Sequence, residues 1–416
     1  MNPLSRRTAA FFRLTHGKTT LMSASRRYEN FLMFLAPLIN SVGGIAIDLY
    51  APSIPDIGRE LGASPGTMQN TLTITLVFYA MGQLAFGILA DWRGRRSTVL
   101  SGLSLFMFGS ALAVTATTVE GLMVARALQG FAIGSCQVGA RAVLVDTLKG
   151  DRFRIAIVYL SIAFGLGPVV APFVGGLVQE WAGWRWNFVL YCGYGLVVLS
   201  FVTMGLRESL PPGMRRQPAR IIAGYREILG DTDFLLAVAM LGASFSAFLL
   251  WNVIGPYIVQ SRLGKSPSFF GTTALFVGLS YLVGTILNRS LIKHWRSEQL
   301  MRGGIALYAC GLVLIASGGK GLVLGTAVGG IMLIAFAQGF IFPNATARSA
   351  ALFPRSAGAA ASLQGCLMLA VGSTASALAS QLPIATNGMI AVVYAVLFAV
   401  TYVTFRLSYR RTAQTA

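Results

Sequence analysis

Apolar runs of about 20 residues recur along this entire chain, and each is long enough to cross a bilayer as a helix. Twelve can be marked, at roughly 31–52, 68–90, 97–116, 121–145, 153–179, 186–206, 234–256, 268–289, 302–317, 321–345, 356–382 and 387–407. Lipid offers the backbone no hydrogen-bond partners, so helices are the natural spanning element. Only 11% of the chain is charged, 55% is hydrophobic and the mean hydropathy is +0.67. A soluble chain is nearer a quarter charged. The expected fold class is an all-α polytopic membrane protein.

The longest interior gap runs from Arg207 to Asp233 and holds Pro211, Pro212 and Pro218 with five arginines. It divides the spans six and six. The expected organisation is a basic tail (1–30), a six-helix bundle (31–206), a linker (207–233), a second six-helix bundle (234–407) and a short tail (408–416). The first thirty residues hold six Lys/Arg and no uninterrupted apolar stretch, which predicts a tail rather than a cleaved signal. With that tail inside, alternate loops and span ends carry twenty-six of the 33 Lys/Arg against five on the other side. Such a bias places both termini in the cytoplasm. The net charge of +19 is therefore spread as membrane-edge anchors, and a nucleic-acid partner is not expected. Ala127-Leu128-Gln129-Gly130-Phe131 in span 4 echoes Phe336-Ala337-Gln338-Gly339-Phe340 in span 10. The echo suggests two related halves with a site between them.

Of fourteen acidic residues only Asp48 lies well inside an apolar run; the others sit in tails, loops or span ends. A carboxylate at bilayer depth costs about 2.5–3.5 kcal/mol on insertion scales, so its presence points to function. The inside loop after span 2 reads Gly87-Ile88-Leu89-Ala90-Asp91-Trp92-Arg93-Gly94-Arg95-Arg96. Gly87 allows close helix approach and Gly94 a tight turn, while Asp91 can cap span 3 or pair with an arginine. In span 4, Arg126, Gly130, Gly134, Gln137 and Arg141 share one helical face. Arg126 should face a wet cavity or a partner, and Arg141 should reach the near surface. Span 5 carries Gly167-Pro168-Val169-Val170-Ala171-Pro172-Phe173-Val174-Gly175-Gly176, the makings of a bent, closely packed helix.

Phe245, Phe248, Trp251 and Asn252 share a face of span 7, and Gln338 and Asn344 are polar at depth in span 10. With Asn40, Tyr50, Arg126 and Gln137 they are the candidate cavity residues. Asn344-Ala345-Thr346 matches a glycosylation pattern but lies in or beside a span. Gly17-Lys18-Thr19 lacks the leading glycine and the strand of a phosphate loop. The cysteines, Cys136, Cys192, Cys310 and Cys366, fall in separate spans without CxxC spacing, and His16 and His294 are lone loop residues. They read as fillers and solvated groups rather than disulfides or metal ligands. No cofactor is expected. A membrane-embedded enzyme would need a His or paired carboxylates at depth, and neither is found.

The loop from Gly87 to Arg96 closely resembles the G-x-L-a-D-r-x-G-r-r loop of the major facilitator superfamily, with Trp92 replacing a basic residue. The corresponding loop of the second half, Asn288 to Met301, has Lys293 where a carboxylate would be expected. Leu122-x-x-x-Arg126-x-x-Gln129-Gly130 resembles an antiporter motif of that superfamily. So does the span 5 stretch at Gly167, Ala171, Pro172, Gly175 and Gly176, with Ala171 replacing a glycine. Asp48-Leu49-Tyr50-x-Pro52-x-x-Pro55 and Gly183-Trp184-Arg185-Trp186-Asn187-Phe188 are similar to the bicyclomycin- and chloramphenicol-resistance (Bcr/CflA-like) branch of drug/proton antiporters. The resemblance implies two six-helix bundles, alternating access, and proton-coupled export of small amphipathic molecules from a bacterial inner membrane, by a protein that is a monomer. It implies proton coupling at Asp48, cavity charge at Arg126, and gating by Asp91 with Arg95, supported by Gly87, Gly94, Gly167, Pro168, Pro172, Gly175 and Gly176. Two relatives of this reading stay open: a dedicated exporter of a metabolite such as a siderophore, and an uptake symporter of the same fold.

Overall fold

The computed structural model describes residues 26–210, 213, 218–353, 356–382 and 384–415. The expected N-terminal tail, with His16 and Gly17-Lys18-Thr19, lies outside the described residues up to residue 25, as do Pro211 and Pro212 of the linker. Among the described residues, twelve helices are long and apolar enough to cross a membrane. Spans 1–6 are Arg26–Glu60, Pro65–Arg93, Arg95–Val114, Val119–Thr147, Gly150–Ala182 and Trp184–Gly205; spans 7–12 are Thr232–Arg262, Pro267–Leu291, Ser297–Ala316, Leu324–Leu352, Gly358–Ser380 and Asn387–Arg410. The last helix runs on to Thr415, through most of the stretch expected to be a tail.

Glycine sets the closest helix crossings. A Cβ on Gly82 would stand 2.1 Å from the Phe131 carbonyl oxygen, so spans 2 and 4 touch backbone to backbone. Spans 8 and 10 repeat the device, with Gly284 against Phe336 and Gly339 against Gly284. Lipid supplies no hydrophobic drive between helices, so such close approach is how they associate.

Across the halves, span 5 packs on span 8, span 2 on span 11, and span 1 meets span 7. The hydrogen bonds between halves gather at the end remote from Arg95. Gln69 Nε2 donates to the Val253 carbonyl (3.1 Å), Gln260 Nε2 to that of Pro52 (2.8 Å), and Ser380 Oγ to Asn70 Oδ1 (2.9 Å). The Ser268 amide donates to Glu180 (3.0 Å). Among the described residues no hydrogen bond joins spans of the two halves at the basic end. Arg141, six residues from the basic end of span 4, is exposed there. The molecule is thus closed at the remote end.

A buried carboxyl and arginine between the halves

Span 1 is broken at the level of its carboxylate. The α-helix Arg26–Asp48 ends there, a 3-10 turn follows over Ala51–Ser53, and a short helix completes the span over Ile54–Glu60. Pro52 has no N–H to offer the Asp48 carbonyl, and Pro55 none for Ala51, so the α ladder cannot continue. The apolar run alone predicts one uninterrupted span ending near 52; the span instead breaks at Asp48 and runs on to Glu60. The break puts Asp48 at a helix end, 4% exposed, where Asn252 Nδ2 of span 7 donates to its Oδ1 at 2.6 Å. This is a contact between the two halves.

Arg126 of span 4 meets span 1 beside Asp48, at Ala46 and Tyr50. It is 0% exposed. Its Nη1 donates to the Ala46 carbonyl (3.1 Å) and to Gln129 Oε1 (2.9 Å), and its guanidinium lies over the Tyr50 ring at 4.6 Å. Gln129 Nε2 passes the chain on to Ser110 Oγ (2.8 Å), and Tyr191 donates to Ala46 (3.1 Å). Arg126 Nε and Nη2 have no hydrogen-bond partner. Of the two settings expected for Arg126, the structure shows protein partners. Among the described residues neither Asp48 nor Arg126 forms an ion pair. A buried guanidinium with two free donors is costly unless something accepts from it. The arrangement can hold a proton at Asp48 and present N–H donors at Arg126 to an oxygen-bearing ligand.

The basic end holds a second charged cluster. Arg95 pairs with Asp91 (2.5 Å) and Asp146 (3.0 Å), joining spans 2, 3 and 4. Ser209 also donates to Asp146 (2.9 Å). Asp91 thus pairs with an arginine, and it is Glu208 that caps span 3, accepting from the Arg95 and Arg96 amides at 2.8 and 3.1 Å. Gly94 is required twice over: its φ is +119°, and a Cβ would meet the Glu208 carboxylate at 2.3 Å. Gly87 faces the Tyr225 hydroxyl of the linker helix Pro218–Leu229.

Span 5 stays helical through Pro168 and Pro172 and carries glycines on two faces. Gly167 and Gly175 meet span 1, where added Cβ atoms would stand 2.7 Å from Gly44 and 1.9 Å from the Leu49 carbonyl oxygen. Gly176 meets span 8, 2.6 Å from the Pro267 carbonyl oxygen, and Gly271 of span 8 returns the contact at Pro172. Asn187 Nδ2 reaches Ser53 Oγ (2.8 Å) and the Gly175 carbonyl (3.3 Å), tying span 6 to this seam. Gly175→Val should therefore destabilise the first half itself. Gly176→Val should instead push spans 5 and 8 apart, disfavouring the remote-closed state by about 1–3 kcal/mol. Cysteine-accessibility labelling at the remote end is expected to rise in Gly176→Val at unchanged expression.

The other candidates are distributed over the packing. Gln137 accepts from Tyr79 (2.6 Å) and from Gln83 Nε2, half-buried inside the first half. Asn40 Nδ2 donates to the Leu160 carbonyl (3.0 Å). Trp251 is buried in the second half, its Nε1 donating to Thr273 (3.3 Å). Phe248 packs on Tyr281 (5.4 Å) and Phe245 on Gly372. Ser244 donates to Gln338, whose Nε2 has no partner. Asn344 is buried and donates to Asn288 (2.9 Å), so its side chain is not available to the glycosylation pattern it matches. All four cysteines are free. Sequence reading gave no role to Asp146, Glu208, Ser110 or Tyr191. The first two looked like ordinary span-end charges, and nothing local marks the others.

Several comparisons bear on this arrangement. The chain is 27% identical over 367 residues to Multidrug resistance protein D of Escherichia coli (strain K12), covering 86% of this chain and 90% of that one. It is 28% identical to Multidrug resistance protein MdtL of Vibrio parahaemolyticus, over 77% of this chain and 81% of that one. It is 27% identical to a Chloramphenicol resistance protein of Pseudomonas aeruginosa, over 68% and 67% of the two. Among solved structures, a D-xylose-proton symporter superposes with a TM-score of 0.72 at 14% identity, covering 91% of this chain and 97% of that one, a likeness of fold. The family model described as Major Facilitator Superfamily matches residues 37–377. With these twelve spans, this chain belongs to the Major Facilitator Superfamily.

Proposed function

We propose that this protein is a drug-efflux antiporter, exporting small amphipathic molecules in exchange for protons by alternating access. The observation that carries the reading is the Asp48–Asn252 contact: a buried carboxyl, well inside the membrane, sits on the bond that joins the halves at the remote end. A charged carboxylate accepts an N–H about twice as strongly as a neutral acceptor. Protonation therefore weakens this contact and favours the state open at the remote end, while deprotonation favours the state described here. On this reading the basic end and both termini face the cytoplasm, which the Lys/Arg bias supports, and the bacterial relatives support an inner-membrane location. The names of the drug-resistance relatives support the substrate class. The protein works as a monomer on this reading. The test is compound accumulation in cells with and without the protein, with and without an uncoupler. Accumulation unaffected by the protein, or by the uncoupler, would overturn the reading.

The Asp91–Arg95–Asp146 cluster then acts as the cytoplasmic gate. It lies wholly within the first half here, so its strength sets how readily spans 2–4 move together. Asp91→Asn is expected to slow transport several-fold and shift cytoplasmic-side labelling without removing substrate binding. Identical labelling of variant and wild type would count against the assignment.

A further inference from the structure

We propose that a cleft on the lipid-facing side of spans 1, 5 and 6 binds an anionic phospholipid, its headgroup at the basic end and an acyl chain along span 1. Two cavities carry the proposal. The first, of about 790 Å³, lies at the basic end where spans 1, 3 and 6 meet. Arg27, Arg96 and Arg207 stand around it. None of the three is in an ion pair with a protein carboxylate among the described residues. Glu208, the one acid at the cavity, accepts instead from the amides of Arg95, Arg96 and Leu210. Arg96 is held in place by the carbonyls of Leu206 (2.8 Å) and Thr203 (3.1 Å), which position its guanidinium and leave its charge intact. Arg207 lies over the Tyr28 ring at 5.1 Å. The apolar side of the cavity is Phe31, seated where Gly205 leaves room, and Met204, which is 87% exposed.

The second cavity is an apolar groove of about 880 Å³ between spans 1 and 5, with the exposed side chains of Ile162, Leu166 and Val170 along one wall. Both cavities use one stripe of span 1. Arg27 and Phe31 line the first; Phe34, Leu38, Ser41 and Ile45 line the second. These positions are spaced 4, 3, 4, 3 and 4 along one helical face. At 1.5 Å per residue, Phe34 to Ile45 spans about 16 Å, about half the hydrocarbon core and so one leaflet. A phosphate-bearing head and a chain of one-leaflet length match this basic cavity and the apolar groove that follows it along the same stripe of span 1. Basic pockets between spans at the membrane edge are suited to such headgroups.

The test uses the purified full-length protein in detergent, titrated with phosphatidylglycerol, phosphatidylcholine or inorganic phosphate, with binding read by native mass spectrometry and thermal stability. Phosphatidylglycerol is expected to bind and raise the melting temperature; phosphatidylcholine and phosphate are not. The Arg27→Gln/Arg207→Gln double variant should bind phosphatidylglycerol at least about tenfold more weakly, since each surface arginine contributes near 1 kcal/mol of attraction. Arg59→Gln, at the opposite end and largely exposed, should bind as wild type does. Should the double variant fail to fold, single Arg207→Gln gives the same comparison. Equal binding of the two lipids, equal protection by phosphate alone, or undiminished binding by the arginine variants would overturn the proposal.

Discussion

Asp48→Asn is expected to abolish uphill efflux, lowering it to the level of cells without the protein, while leaving a folded protein that still binds substrate. The substitution is nearly isosteric. An asparagine Oδ1 can still accept from Asn252 Nδ2, so the contact between spans 1 and 7 and the packing around the helix break survive. The variant cannot take up or release a proton. No other carboxyl stands in for it: the remaining acids among the described residues lie in loops or near the ends of their helices. Uncoupled exchange of substrate down its own gradient should persist, and the effect of a pH gradient should vanish. The measurement is substrate flux in vesicles under an imposed pH gradient, beside counterflow with no gradient. Undiminished gradient-driven accumulation by Asp48→Asn would remove Asp48 from the coupling role. Asn252→Ala makes the complementary case. It keeps the titrating group but removes the partner across the halves, so proton-dependent flux should fall less than in Asp48→Asn while remote-end accessibility rises.

The spans were legible because hydrophobicity over 20 residues is a local property, and so was the isolation of Asp48. The break behind Asp48 was not read from the sequence, although its cause is local: Pro52 and Pro55 each remove a donor that the α ladder needs. What the sequence could not supply was Asn252 as the partner, because the pairing of residues 204 apart is decided by how spans 1 and 7 meet. Trp251 illustrates the same limit. It shares a helical face with Phe245 and Phe248, yet three neighbours divide that face: Trp251 bonds Thr273, Phe248 packs against Tyr281, and Phe245 lies on span 11. Glu208 looked like a linker charge, and only the return of the chain after span 6 brings it to the amides of span 3. The span 5 glycines were readable as a site of close approach, but not that Gly175 and Gly176, adjacent in sequence, face different halves.

Replacing Arg126 should change which compounds are exported. A site selecting lipophilic cations is expected to hold carboxylates beyond the one used for coupling, since a buried cation needs a counter-charge. Here Asp48 is the sole carboxyl at that depth, and beside it stands a fully buried guanidinium with Nε and Nη2 unpartnered. Those donors suit ligands that bring oxygen acceptors: amides, nitro groups and carboxylates. Neutral, zwitterionic or anionic compounds of this kind should be exported better than quaternary ammonium dyes. Arg126→Met fills similar volume without a charge, and exchanging a buried ion for a hydrophobic side chain is often tolerated. It should lower export of a neutral amide antibiotic at least about tenfold, the loss of one to two charge-assisted hydrogen bonds worth ~1.5–3 kcal/mol each. Dye export should hold steady or rise. Arg126→Lys should rescue only in part, because an ammonium keeps the charge but not the planar fork that contacts Ala46 and Gln129 while lying over Tyr50. Side-by-side efflux of the antibiotic and the dye reads the wild type and both variants at once. Robust export of the dye alone, indifferent to Arg126→Met, would refute the argument that this arginine sets the preference.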